Sequence, residues 1–384
     1  MKIAAALLIS VLFTSCASAP PPPVDGLFRD ALFGPPAVPI DSADAMAVSP
    51  EMHRYLEARI LNKPAAGDRK KQLMDALYRK GDLRLEYDSA MTRTAAQAFE
   101  ARAGNCLALV MMTGAFAKEL GLTVQYQAFP GADAWDRADD LYLAVGHVNL
   151  TLVDRPALAG SGILRLSSTM TVDFIPPREG QVAHARVIQE PTVIAMYLNN
   201  RAVESLTRGQ VDDAYWLARE ALRTDPKLMG AYITLGVVYR NRHQPELADA
   251  ALQRVLDRQP DNTMAMSNRV LVLRDMGRQA EANALALQLD RLDPHPPFSY
   301  FHQGMAALRE GRPEAARALF EKEVDRSPYQ HEVQFWLAVT YLQLHDAEHA
   351  AVHLARAMDA STTRRDRDLY AAKLERLKSL GLQQ

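Results

Sequence analysis

The order of apolar and polar positions predicts two kinds of structure in succession. A short apolar run, Ile3 to Phe13, follows Lys2 and is too short to span a bilayer as a helix. Ser49-Pro50 predicts a helix start with proline in the first turn, running to about Leu61. A second helix runs from about Arg69 to Lys80 and stops at Gly81. Leu83 to Tyr87 alternates as a short strand, and Thr94 to Arg102 returns to helix. Asn105 is an N-cap for a helix from Cys106 to Leu120 that stops at Gly121, with Leu107, Val110, Met111 and Gly114 on one face.

Beyond Gly121 the period changes to two. Val124, Tyr126 and Ala128 alternate in one strand. In the next, Val148, Leu150 and Leu152 share a face, and His147, Asn149 and Thr151 share the other. Met170, Val172 and Phe174 form the buried face of a third strand, which leaves Thr171 and Asp173 opposite. His147 and Asp173 therefore fall on one face of adjacent strands. Asp133 to Asp140 reads as a solvated acidic loop, and Gly160-Ser161-Gly162 as a hairpin turn. Residues 41–190 are thus expected to be α+β.

The C-terminal half repeats. Pro226, Pro260, Pro294 and Pro328 stand 34 residues apart, and Ala214, Ala248, Ala282, Ala316 and Ala350 hold the same period. Leu235-Gly236, Tyr239, Gly304, Leu337-Ala338 and Tyr341 fall at first-helix positions, and Phe320 and Leu354 at the large slot of the second helix. This pattern resembles the tetratricopeptide repeat (TPR), a pair of antiparallel helices in which small residues permit close approach and proline ends the unit. Five units are expected over 195–362, then a capping helix within 363–384 with Leu369, Leu374, Leu377 and Leu380 on its apolar stripe. Arg201 and Arg269 depart from the usual leucine, and Thr362 replaces the closing proline. The resemblance implies a groove lined by Ile233, Val237, Leu271, Phe301, Met305, Phe335 and Val339, edged by Arg240 and Arg274. Such a groove would take a protein or peptide partner, or the chain's own N-terminal domain.

A length of 384 residues, 48% hydrophobic and 23% charged, suits two or three globular domains. A net charge of −2 without a basic stripe argues against a nucleic-acid partner. Leu12-Phe13-Thr14-Ser15-Cys16 resembles the bacterial lipobox, which makes 1–15 a lipoprotein signal peptide and Cys16 the lipidated residue. Residues 16–40, with Pro20 to Pro23, read as a Pro-rich tether. By the family rule, Ala17 implies the periplasmic face of the outer membrane.

Cys106 is then the one thiol of the mature chain. At a helix N-terminus it would meet the positive end of the macrodipole, which favours thiolate and suits a nucleophile. The segments Gly104-Asn105-Cys106, Gly146-His147-Val148-Asn149 and Val172-Asp173-Phe174, in that order, resemble the transglutaminase-like superfamily, which includes bacterial cysteine proteinases. The resemblance implies Cys106 as nucleophile, His147 as general base and Asp173 as orienting acid, with Asn105 and Tyr87 as candidate oxyanion donors. A zinc site made by Cys106, His147 and Asp173 finds no support in a CxxC, HxxxH or HExxH spacing at those residues, and no cofactor is implied. The whole is expected to be an α+β transglutaminase-like (papain-like) domain followed by an all-α TPR solenoid. Two functions follow: thiol-dependent acyl transfer, as peptide or isopeptide hydrolysis or transamidation, or a non-catalytic TPR adaptor with an inactive first domain.

Overall fold

The computed structural model describes residues 24–62, 68–78, 83, 85–88, 91–138, 141–153, 168–174, 185–296, 298–328, 330–361 and 364–381, with backbone alone for 130–138, 141–147, 364, 380 and 381. The signal segment, Cys16, Pro20 to Pro23, Gly160-Ser161-Gly162 and Thr362 lie outside the described residues.

The N-terminal region mixes helix and sheet. Helix α1, Pro50–Leu56, begins where the Ser49 side chain accepts the Met52 N–H, and continues as a π-helical turn, Glu57–Leu61. Helix α2 is Arg69–Tyr78, and strand β1 is shortened to Glu86–Tyr87. Helix α3, Ala95–Ala101, opens on a full capping box between Thr94 and Gln97. Strand β2, Ala103–Gly104, pairs in parallel with β1. Helix α4, Cys106–Glu119, is buried on every side from Cys106 to Ala117, as a helix apolar all round must be.

Helix α4 packs against a four-stranded antiparallel sheet. Its strands are β3, Thr123–Ala138, β4, Leu141–Val153, β5, Thr169–Val172, and β6, Arg186–Ile188, in the order β5-β4-β3-β6. Val148, Leu150, Leu152 and Val172 join Cys106, Leu107 and Val110 in one core. The acidic stretch expected as a loop is instead ribbon: Ala134 to Ala138 pairs with Val145 to Leu141 beyond a register shift. An antiparallel ladder satisfies its own backbone groups, so this extension needs no apolar face.

Ten helices then follow in antiparallel pairs. They are α5, Glu190–Thr207, with α6, Val211–Thr224; α7, Met229–Asn241, with α8, Pro245–Leu256; and α9, Thr263–Asp275, with α10, Gln279–Leu292. The last two pairs are α11, Ser299–Arg309, with α12, Pro313–Arg326; and α13, His331–Gln343, with α14, Ala347–Asp359. Helix α15, Arg364–Gly381, closes the array. The first helices of the first three pairs touch (α5 on α7, α7 on α9) and so form an inner layer there. The repeated alanines Ala214, Ala248, Ala282, Ala316 and Ala350 are all fully buried.

Both arginines that depart from the repeat link structural units, Arg201 by a hydrogen bond and Arg269 by an ion pair. Arg201 binds Glu204 and the Thr92 carbonyl, joining α5 to the loop before α3. Arg269 reaches Asp249 of the preceding pair at 2.6 Å, and Arg278 shares that carboxylate. Helix α5 belongs to both halves, with Val193 in the first core and Ala195, Leu198 and Ala202 in the second. Among the described residues, no helix is long and apolar enough to cross a membrane.

Residues 24–40 do not run free as a tether. Three 3₁₀ turns, Val24–Leu27, Asp30–Leu32 and Ala43–Met46, shape a strap whose first part lies on α6, α7 and α8. Leu27 and Phe33 are buried in the solenoid's core. The prolines exclude regular hydrogen-bonded structure but leave the apolar residues between them free to dock.

Candidate functional site

The Asn105 cap forms as its residue type dictates: the side-chain oxygen accepts the Ala108 N–H at 3.0 Å and the amide nitrogen donates to Thr92 Oγ1 at 2.8 Å. Both ends of Asn105 are thus engaged within the protein. Tyr87, the other oxyanion candidate, pairs through its backbone with Gly104 in the β1–β2 ladder and packs its ring on the first core.

Cys106 opens α4 but is only 2% exposed, and its thiol donates to the main-chain carbonyl of Val148 at 2.8 Å. Only the protonated thiol can donate that bond. Burial pushes Cys106 up to about 12, opposed by the Val148 backbone and helped by the Asp173 charge. The expectation of a low-pKa thiolate is therefore reversed, because desolvation outweighs what a helix terminus supplies.

Asp173 lies just past β5, where its Oδ2 accepts the Asn149 amide at 3.1 Å. The predicted shared face of Asn149 and Asp173 is thus observed. His147 lies on β4 opposite Phe129, next to the Val148 whose carbonyl holds the thiol; its side chain is outside the described residues. Tyr78 at the end of α2 is a neighbour that sequence reasoning missed. Its ring packs 5.9 Å from Phe174, and burial, then the Cys106 charge, raises its hydroxyl above the ordinary tyrosine value. No periodic signal marks it, since α2 ends there. Among the described residues, no group of three or more His, Cys, Asp or Glu is placed to hold a metal.

The groove positions divide in two. Phe301 is 1% exposed and Ile233 7%, so both belong to the solenoid core and not to a groove wall. Phe301 packs 5.7 Å from Phe320 of the partner helix, which turns it inward. Val237, Met305, Phe335 and Val339 are half-buried, and Leu271 is 38% exposed. Phe335 stacks on Tyr370 of α15 at 5.2 Å, with Lys373 over its ring, so the capping helix covers that end. At the edge, Arg240 pairs with Asp275 at 2.6 Å.

This succession of helix pairs, small contact residues and a capping helix defines a repeat solenoid. The tetratricopeptide repeat family model matches residues 233–297 and 301–364, so these helix pairs are TPR units and form a protein-interaction module. The chain is 29% identical over 121 residues to the type IV pilus assembly protein PilF of Pseudomonas aeruginosa, covering 31% of this chain and 48% of the relative. It is 28% identical over 151 residues to a TPR repeat-containing protein of the same organism, covering 39% of this chain and 25% of the relative. The chain thus spans about half or less of the curated relatives it matches. Among solved structures, it is 18% identical to a thermophilic TPR protein of Thermus thermophilus, over 47% of this chain and 98% of that one, with a TM-score of 0.30. It is 21% identical to YrrB, a TPR protein with an unusual peptide-binding site, over 47% and 92%, with a TM-score of 0.25.

Proposed function

We propose that this chain is a non-catalytic adaptor of the bacterial cell envelope, held there by lipidated Cys16, in which the solenoid binds a protein partner and the N-terminal α+β region is a docking and bracing unit. The observation that carries this reading is the setting of Cys106: its side chain is buried and its sulfur lies 2.8 Å from the Val148 carbonyl. A nucleophile needs a thiolate within reach of a substrate, and burial of Cys106 works against both. Arg201, Glu204 and Thr92 tie the sheet-bearing region to the first solenoid helix, as a brace would. On the solenoid, exposed Leu271 and half-buried Val237 and Met305 offer apolar contact for an amphipathic segment. The likeness to a pilus assembly protein supports a partner drawn from an envelope assembly.

A second reading, a transglutaminase-like thiol acyl transferase, is favoured by one observation: Cys106, Asp173 and the backbone of His147 and Val148 converge at the N-terminus of α4. The two are separated by incubating the protein with casein and a fluorescent primary amine, and with labelled peptides. The adaptor reading expects wild type and Cys106→Ala to give the same background. Amine incorporation or cleavage that disappears in Cys106→Ala establishes the enzyme.

A further inference from the structure

The strap is bound in a way that reads backbone more than side chain. Trp216 Nε1 donates to the Gly34 carbonyl at 2.6 Å, Tyr239 Oη to the Leu27 carbonyl at 2.5 Å and Arg242 Nε to the Leu32 carbonyl at 3.1 Å. In the opposite sense, the Arg29 N–H donates to Tyr215 Oη at 2.8 Å and the Ala37 N–H to Asp213 Oδ1 at 2.7 Å. Five side chains of α6, α7 and its C-terminal flank thus hold five main-chain groups of one segment that carries the 3₁₀ turn Asp30–Leu32.

Two strap side chains add discrimination. The Phe33 ring stacks on Tyr215 at 3.8 Å and 5°, lies 6.0 Å from Tyr239, and has the Arg242 guanidinium 5.2 Å away on its face. Asp30, three residues earlier, accepts from Tyr215 Oη at 2.6 Å and pairs with Arg219 at 3.0 Å. Side-chain donors aimed at successive carbonyls, with one aromatic slot and one cationic anchor, are the parts of a linear-peptide receptor.

We propose that α6, α7 and α8 carry a peptide-binding site, separate from the inner-layer groove and occupied here in cis by residues 27–37. Its ligand class is a linear segment that makes one 3₁₀ turn and carries an aromatic residue three positions after an aspartate. A partner segment of that chemistry competes with the strap, and displacement frees the N-terminal segment from the solenoid. A short-tethered segment has an effective concentration on the order of 1 mM. For an intrinsic Kd of roughly 10 μM, the strap therefore weakens binding in trans by about 100-fold.

The test uses the full chain and a fluorescein-labelled peptide of residues 24–37, followed by anisotropy. Asp30→Ala/Phe33→Ala, checked for cooperative melting, should bind the peptide about 100-fold more tightly than wild type, and a Phe33→Ala peptide should bind neither. Absence of binding to the folded variant, or equal binding to both proteins, overturns the proposal. Should that variant not fold, amide exchange on the wild-type chain decides. Millimolar peptide should strip protection from the amides of Arg29 and Ala37, and unchanged protection overturns the proposal.

Discussion

Gly304 of α11 and Phe320 of α12 are in such close contact that a Cβ added at Gly304 would lie 2.7 Å from the phenylalanine ring. The ring is fully buried and cannot retreat. Gly304→Ala should therefore cost about 1–3 kcal/mol through overpacking and lower the melting temperature measured by calorimetry. Gly236 on α7 stands in the same relation to Leu252, with 2.9 Å to the added atom. A leucine terminus yields more readily than a ring, so Gly236→Ala should cost less.

Glu323, 2% exposed on α12, accepts the N–H groups of Phe298, Tyr300 and Phe301 at 3.1–3.3 Å and so caps α11 from outside its own helix. These are donors that a helix start leaves without intrahelical partners. Glu323→Ala should cost about 2–4 kcal/mol, and Glu323→Gln less, because the amide oxygen still accepts. Denaturant melts of the two variants check the order.

The period of 34 made the repeats legible, since Pro, Ala and Gly at fixed places report local geometry directly. The α4 segment was equally plain, because an apolar run from Cys106 to Ala117 has few places to go but a core. Three features were not. The state of Cys106 depends on what the sheet brings over it, which a helix-terminus argument does not contain. The strap was hidden by its prolines, although Leu27, Phe28, Leu32 and Phe33 form an apolar cluster that a free tether would not need. Phe301 was assigned to a groove by repeat position; its inward packing is a matter of helix rotation that position alone does not fix.

His353 on α14 is 8% exposed, bonded to Gln334 at 2.7 Å and stacked on Tyr341. Burial, then the charge of Arg356, pulls it down from 6.5 to about 4. The unfolded chain thus takes up this proton at higher pH than the folded one. Stability from neutral His353 is present above about pH 6.5 and is lost as pH falls toward 4. His353→Asn keeps a donor for Gln334 but does not titrate, so the slope of melting temperature against pH in that window should flatten. A slope unchanged by the substitution would assign the pH dependence to other groups.

The adaptor account stands most directly on the thiol of Cys106, and its alkylation rate by iodoacetamide measures that state. In a Cys16→Ser full chain it is the only thiol. A value near 12 against an ordinary 8.5 leaves about 10³-fold less thiolate at neutral pH. The account predicts native alkylation slower than in the urea-unfolded chain by at least about 10³-fold, with no acceleration or slowing on His147→Ala. Fast native alkylation that persists toward pH 6 and is abolished by His147→Ala would contradict it and make Cys106 an activated nucleophile.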